Sequence, residues 1–243
     1  MRYLITGGLG FIGANFIEEI QSKKNYILNI DKISKPSNVY LNTVFKKNSN
    51  YKFIKGDISK IDLYKIILNF KPDFIINFAA ESHVDNSIKN AKIFLDSNIY
   101  GVFNLIESLK KYRDRYNNNF KLLHISTDEV YGSLSLFSKK KFNEKSNYNP
   151  LNPYAASKAS SDHLVKSWIN TYELPFLISN CSNNFGRFQC SEKLIPKVIL
   201  NLKKNKPIPL YGNGKNQRDW IYVKDHCRAI RYILKKGKIG EKY

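Results

Sequence analysis

The 243-residue chain is 42% hydrophobic, enough for one large domain or a domain and a half with a real core, and no run approaches the ~20 apolar residues that a membrane helix needs. Its formal net charge of +20 comes from lysines scattered in short runs (Lys46-Lys47, Lys139 to Lys141, Lys203-Lys204) among many Asn and Ile. With no nucleic-acid motif beside them, these lysines read as a compositional bias on solvated faces, which argues against a nucleic-acid partner and helps attract an anionic substrate.

Tyr3 to Thr6 reads as a strand, residues 11–22 as a helix, and Tyr26 to Ile30 and Tyr51 to Lys55 as the second and third strands. A helix over 60–69 leads to a strand from Asp73 to Asn77, a long helix over 91–113 to a strand from Lys121 to Ser126, and a helix over 153–172 to a strand from Phe176 to Asn180. Such alternation predicts an α/β fold, a doubly wound parallel sheet with helices on both faces, whose ligands lie beyond the carboxyl ends of the strands. After Asn180 come loop-rich pieces: a helix near 192–203, a Pro-flanked strand from Ile208 to Tyr211, and a last strand and helix over 220–235. There is no internal repeat. Cys181, Cys190 and Cys227 are widely spaced and form no C-x-x-C pair, so they read as reduced thiols, with neither a disulfide framework nor a metal site. The opening MRYLITGGLG enters a strand without a leader pattern, which makes the cytoplasm the expected location.

Two motifs fall where ligands are expected. Gly7-Gly8-Leu9-Gly10-Phe11-Ile12-Gly13 stands between the first strand and the first helix, where glycines let the backbone turn tightly and approach a pyrophosphate favoured by the helix N-terminus. Asp31, at the end of the second strand, is placed to hydrogen-bond an adenosine ribose, and its charge would repel a 2′-phosphate, so NAD is expected over NADP. Tyr154-Ala155-Ala156-Ser157-Lys158 lies on a predicted helix, and a spacing of four puts the phenol and the ammonium on one face. An ammonium there stabilises a phenolate and lowers the tyrosine pKa toward the range of a proton acceptor. Glycines serving helix packing, and a Tyr-Lys pair on a solvated surface, are the structural alternatives.

These motifs, with "KGDIS", "NFAAESHVDNSI", "HISTDEVYG", "NPYAASKASSDHLV", "NCSNNFG", "EKLIPKVI" and "LYGNGKNQRDWIYVKDH", resemble the extended short-chain dehydrogenase/reductase family in its nucleotide-sugar 4,6-dehydratase branch, from Gly7 to about Tyr243. The resemblance implies a Rossmann NAD-binding domain over 1–180 that carries the catalytic residues, and a partial nucleotide-sugar region over 181–243 that returns in part to the core. It also implies dTDP-glucose as substrate and a homodimer built on the helices around 91–113 and 153–172. Relatives that only epimerise or decarboxylate share the glycine turn and the Tyr-Lys pair but typically lack Asp128-Glu129 after the strand.

That pair accounts for two carboxyl groups at the end of a buried strand. If Tyr154 removes the C4 hydroxyl proton while NAD takes the C4 hydride, the 4-keto sugar has an acidified C5 proton for Glu129 to remove. Asp128, as acid, then protonates the departing C6 hydroxyl, and the cofactor returns its hydride to C6. Adjacent carboxyls with opposite duties need different protonation states. The alternative for Thr127-Asp128-Glu129 is a polar cluster that caps a helix.

By the same matching, Gly7, Gly10, Gly13, Phe11, Ile12, Asp31, Lys32, Asp57, Ile58, Ala79, Ala80, Ser97, Tyr154, Lys158 and Asn184 correspond to the family's NAD contacts, with Asp57 as the adenine partner. Thr127 corresponds to the residue that binds the sugar near C4, and Ser82 to another sugar contact. Asn183, Lys193, Leu194, Pro209, Tyr211 and Arg218 correspond to contacts with the diphosphate and base, and a lysine and an arginine suit a diphosphate. His83 reads as a structural hydrogen-bonder. The chain departs from the family at Asn86, where an arginine is usual, and in "RFQCSEK", where relatives carry proline-containing segments. It stops at "GKIGEKY" where the family pattern continues, so the substrate region is expected to be incomplete. Beside the lyase reading stand a remnant that binds NAD without turnover and another nucleotide-sugar dehydratase or epimerase.

Overall fold

In the computed structural model, which describes residues 1–116, 119–210 and 212–243, alternating apolar residues build both faces of a six-stranded sheet. Strands β1 (Arg2–Thr6), β2 (Tyr26–Asp31), β3 (Tyr51–Lys55), β4 (Phe74–Asn77), β5 (Lys121–Thr127) and β6 (Phe176–Cys181) are all parallel, in the order β3-β2-β1-β4-β5-β6. Neighbouring residues on a strand point to opposite faces. Leu4, Ile75 and Leu122 accordingly join one core, with Leu63 and Ile67 of α3 (Leu63–Phe70), Leu105 and Leu109 of α6 (Gly101–Tyr116) and Val165 of α7 (Pro153–Tyr172). Ile5, Ile76 and Leu123 join the other, with Phe16 and Ile17 of α1 (Phe11–Ile20), Leu41 and Phe45 of α2 (Val39–Phe45) and Ile230 of α9 (Val223–Lys236).

Between α5 (Ala91–Phe94) and α6 the helix widens into a π turn over Leu95–Tyr100. It carries Asn98 inward, where Asn98 receives the Glu81 N–H and donates to the Glu81 carbonyl and to Ser157 Oγ. Past β6, β7 (Asn183–Phe185) pairs in parallel with β8 (Trp220–Tyr222), α8 (Leu194–Lys203) buries none of its residues, and α9 packs back against the sheet. Lys242 then bridges to Ile178 alongside β6.

The predicted elements stand within a few residues, and the helix over 153–172 falls on α7, because Asn152 caps it by accepting the Ala155 N–H at 2.8 Å ahead of Pro153. The strand expected from Ile208 to Tyr211 is corrected. Ile208 to Leu210 is irregular and largely exposed, and Tyr211 lies outside the described residues. Pro207 and Pro209 have no N–H to give a ladder, and β8 pairs with β7 instead. The short α2, α4 (Val84–Lys89) and β7 carry too little periodicity to be read in advance.

Leu105→Ala, which removes a fully buried side chain at the centre of one core, is expected to cost about 2–5 kcal/mol in denaturant unfolding without changing the far-ultraviolet spectrum of the folded chain.

Candidate active site

The turn after β1 is held by the end of β2. Gly7 donates to the Ile30 carbonyl at 2.8 Å, Gly8 to Asn29 Oδ1 at 3.0 Å, and Leu9 to Asp31 Oδ2 at 3.0 Å. Gly7 has φ +71°, and a Cβ there would lie 2.6 Å from the Ala79 nitrogen, while a Cβ at Gly13 would lie 2.5 Å from the Gly7 carbonyl oxygen. Only glycine permits both approaches. No side chain caps α1, so its first N–H groups face the space in front of the turn.

That space is a cavity of about 460 Å³ at the carboxyl ends of the strands. Gly7, Gly10, Phe11, Ile12 and Gly13 line it from the turn, Asp31 and Lys32 from the end of β2, Asp57 and Ile58 from beyond β3, and Ala79, Ala80 and Ser82 from beyond β4. Ser97 reaches it from the π turn, Thr127 and Glu129 from the end of β5, Tyr154 and Lys158 from α7, and Asn183, Asn184, Lys193, Leu194 and Arg218 from the last quarter of the chain. Asp128 faces an adjoining cavity of about 1260 Å³, which shares Glu129, Asn183, Lys193, Leu194 and Arg218 with the first. Pro209 lines neither cavity, and Tyr211 lies outside the described residues. The glycine cradle, the uncapped helix and the carboxylate at the end of β2 together fit a dinucleotide.

Several of these side chains already have partners. Asp31 also accepts from Ile33 N at 2.8 Å and Ser37 Oγ at 3.3 Å, so it shapes the turn as well as lining the cavity. Lys32 pairs with Glu81 at 2.6 Å. Burial pushes the Asp57 carboxyl up, but the Ser59 N–H and hydroxyl, with Lys32 and Lys60 nearby, outweigh it and hold the group below its usual range. Lys193 donates to the Ser82 carbonyl at 3.1 Å, and burial pulls its ammonium down. His83 is not the hydrogen-bonder the sequence implies: its Nδ1 is buried without a partner among the described residues, and its Nε2 stands 3.9 Å from the Glu192 carboxylate.

At the end of β5 the chain turns into a short 3₁₀ helix, Asp128–Tyr131, whose Glu129 N–H is received by Thr127 Oγ1. The two carboxyls thereby leave the same strand in different directions. Asp128 accepts from Thr127 Oγ1 at 3.3 Å, and burial together with the charge of Glu129 pushes its carboxyl above the ordinary range. Glu129 Oε2 accepts from Asn152 Nδ2 at 3.2 Å. Asn152 therefore both caps α7 and orients a carboxylate. It went unassigned from sequence, although Asn before a helix-opening Pro was a readable signal.

The expectation that Lys158 lowers the Tyr154 pKa is corrected for the chain by itself. Burial, then the charge of Glu129, pushes the phenol above its usual range, against the nearby Thr127 hydroxyl, which draws it down. Lys158 instead donates to the Ile125 carbonyl at 2.8 Å. Sequence reasoning also missed Asn98, Cys181 and Gln189, which respectively hold the π turn and line the cavity.

A parallel sheet with a glycine cradle, a Tyr-x-x-x-Lys pair and loops from the last quarter of the chain lining the same cavity defines an extended short-chain dehydrogenase/reductase. Residues 4–243 match the family model described as GDP-mannose 4,6 dehydratase, and the chain belongs to that family. It is 46% identical to a probable dTDP-glucose 4,6-dehydratase of Sinorhizobium fredii, over all of this chain and 70% of that protein. It is 44% identical to the dTDP-glucose 4,6-dehydratase of Xanthomonas campestris pv. campestris, over 99% of this chain and 70% of that one. Among solved structures, the dTDP-glucose 4,6-dehydratase of Bacillus anthracis in complex with NAD superposes with a TM-score of 0.89 at 40% identity, covering all of this chain and 74% of that chain. The UDP-glucuronic acid 4-epimerase of Bacillus cereus, with UDP-glucuronic acid and NAD, gives a TM-score of 0.88 at 28% identity, over all of this chain and 76% of that one.

Because the folded-state pKa of Asp128 is raised, its ionisation opposes folding as pH rises from the ordinary carboxyl range through that raised value, and the penalty is then constant. Asp128→Asn is expected to raise the melting temperature at neutral pH and to leave it unchanged near pH 3, below both values. An equal gain at both pH values would contradict this origin.

Proposed function

We propose that the chain catalyses the NAD-dependent dehydration of dTDP-glucose to dTDP-4-keto-6-deoxyglucose. The observation that carries this reading is the unequal environment of two adjacent carboxyls: Asp128, pushed toward its protonated form, and Glu129, oriented by Asn152, beside the buried phenol of Tyr154. The two roles they suit are acid and base. An epimerase needs neither.

The glycine turn and Asp31 would hold NAD, which when bound would supply a reversible hydride acceptor for transfer from C4 to C6. Tyr154 takes the C4 hydroxyl proton, Thr127 holds that hydroxyl, and the Lys158 ammonium offsets the charge that develops on the phenol. The resulting carbonyl acidifies C5, Glu129 removes the C5 proton, Asp128 delivers its own to the C6 oxygen as water leaves, and Glu129, in exchange with solvent, returns a proton to C5 once C6 has received the hydride. Lys193 and Arg218 are suited to the diphosphate. The leading relatives carry the same activity in their names, and the NAD in the solved relative supports the cofactor.

A second copy of the chain fits the outer face formed by Ile88, Ile93, Leu95, Tyr100 and Phe103, all exposed apolar side chains on α4 to α6. A homodimer would cover them. Among the described residues no helix is long and apolar enough to cross a membrane. The three free cysteines accord with a cytoplasmic setting.

Glu129→Gln should bind NAD normally, still release the C4 hydrogen, and slow product formation by about 10²–10⁴-fold. The check is to follow reduced cofactor and 4-keto-6-deoxy product separately, and dehydration at the wild-type rate would remove Glu129 from the base role. Tyr154→Phe should slow the first step by a similar ~10²–10⁴-fold, read as the rate of cofactor reduction in a single turnover.

A further inference from the structure

Beneath Tyr154 and Lys158 lies a polar network that the steps above do not use. It centres on His124 of β5 and Asp162 of α7, 0% and 2% exposed. Its hydrogen bonds can be directed from a fixed donor. The Ala79 N–H donates to Thr6 Oγ1 at 3.4 Å, and the Thr6 hydroxyl donates to Asn77 Oδ1 at 2.5 Å. The Asn77 amide is thereby oriented, and its Nδ2 donates to His124 Nδ1 at 3.0 Å. A ring nitrogen that accepts leaves the other to carry the hydrogen, so His124 is the neutral Nε2–H tautomer. Burial, aided by the charge of Lys158, holds its pKa down to about 4.

His124 Nε2 stands 3.2 Å from Ser161 Oγ, 3.4 Å from Lys158 Nζ and 3.4 Å from Asp162 Oδ1. The Ser161 hydroxyl donates to the Lys158 carbonyl, which leaves its oxygen to accept the ring N–H. Since Nε2 already bears a hydrogen, His124 accepts nothing from the lysine, and the Lys158 ammonium keeps its proton and donates to Ile125 O. Asp162 Oδ2 receives Ser126 Oγ at 2.8 Å, Tyr148 OH at 2.8 Å and Asn180 Nδ2 at 3.1 Å. Asp162 Oδ1 is buried with no hydrogen bond among the described residues. Its negative charge and the Lys158 ammonium stand at the same ring nitrogen, each 3.4 Å from His124 Nε2. Burial alone would raise the Asp162 carboxyl, but the facing His124 N–H, the Lys158 charge and the Ser126 hydroxyl outweigh it and hold it below its usual range.

The other titratable groups around the pair do not take this role. Cys181 on β6 is pushed up to about 12 by burial and stays a thiol, and Tyr131 at the end of the 3₁₀ helix is likewise pushed up to about 12. Burial also drives Tyr148 up. Lys242, which approaches Asp162 from the solvent side, sits 4.5 Å from the centre of the Tyr148 ring, and burial lowers its ammonium. Asp128 and Glu129 act on Tyr154 from across the cavity.

We propose that Asp162 is a positioning residue: a fixed counter-charge that keeps Lys158 protonated beside Tyr154, with the neutral His124 facing both groups through Nε2. The proposal rests on the role given to Lys158 above. Removing the charge leaves burial unopposed, so the lysine loses its proton at lower pH and the alkaline limb of turnover moves down with it.

The test uses the free chain with carbon-13 lysine, in which the Lys158 ε-carbon signal is identified by its loss in Lys158→Met. Asp162→Asn should lower the Lys158 titration midpoint by about one pH unit or more, and Asp162→Glu should restore it. An unmoved midpoint overturns the proposal. In turnover, Asp162→Asn should shift the alkaline limb of kcat by the same amount with KM little changed. A uniform loss of kcat at every pH would mean a merely structural role and would also overturn it. The spectra need neither cofactor nor sugar, so a wrong dehydratase reading shows as absent turnover with the midpoint shift intact. Should Asp162→Asn not fold, the wild type decides: ring nitrogen shifts of a neutral Nε2–H His124, constant from about pH 5 to 8, support the proposal, and an Nδ1–H or titrating ring overturns it.

Discussion

Everything in the site depends on how closely the Gly7 turn approaches the backbone that leaves β4. A Cβ at Gly7 would sit 2.6 Å from the Ala79 nitrogen, and the strands that meet there, β1 and β4, are where the sheet order reverses. In a doubly wound sheet this switch point is where successive loops diverge and leave a crevice. The cavity is therefore a consequence of strand order, and the glycine keeps its floor open. Asn29 and Asp31 of β2 then hold the turn by its backbone N–H groups, so the residue expected to meet a ribose is also part of the wall.

The chemistry adds one requirement to that crevice: neighbouring acids must not behave alike. β5 meets it by ending in a tight 3₁₀ turn, which leaves Asp128 facing one cavity only while Glu129 reaches both. Burial and the adjacent negative charge act on Asp128, while Glu129 is gripped by the residue that starts α7. The same helix supplies Tyr154, Lys158 and Asp162 along its inner side. One capped helix thus fixes Glu129, through Asn152, together with Tyr154, Lys158 and Asp162, and misplacement of α7 would disturb all four.

Much of this was legible in the sequence because it rests on local rules. Strand and helix periodicity gave the βαβ order, the glycine turn and the Tyr154-Lys158 pair stand in motifs whose spacing carries a mechanism, and Asp128 and Glu129 followed from the family resemblance. What was not legible depends on contacts between distant segments. The route from Thr6 through Asn77 and His124 to Asp162 joins three strands and a helix, and no single stretch announces it. The state of Tyr154 was misjudged because burial and Glu129 enter only once the chain is folded. The Ile208 to Tyr211 segment looked like a strand from its apolar residues, but its prolines have no ladder N–H to offer.

The most direct test of the central claim is to incubate the chain with NAD and dTDP-glucose carrying deuterium at C4 and to read the sugar by nuclear magnetic resonance. The account predicts a 4-keto-6-deoxy sugar with the deuterium at C6 and a solvent hydrogen at C5. A 4-epimer with its label back at C4, or sugar recovered unchanged, would contradict it.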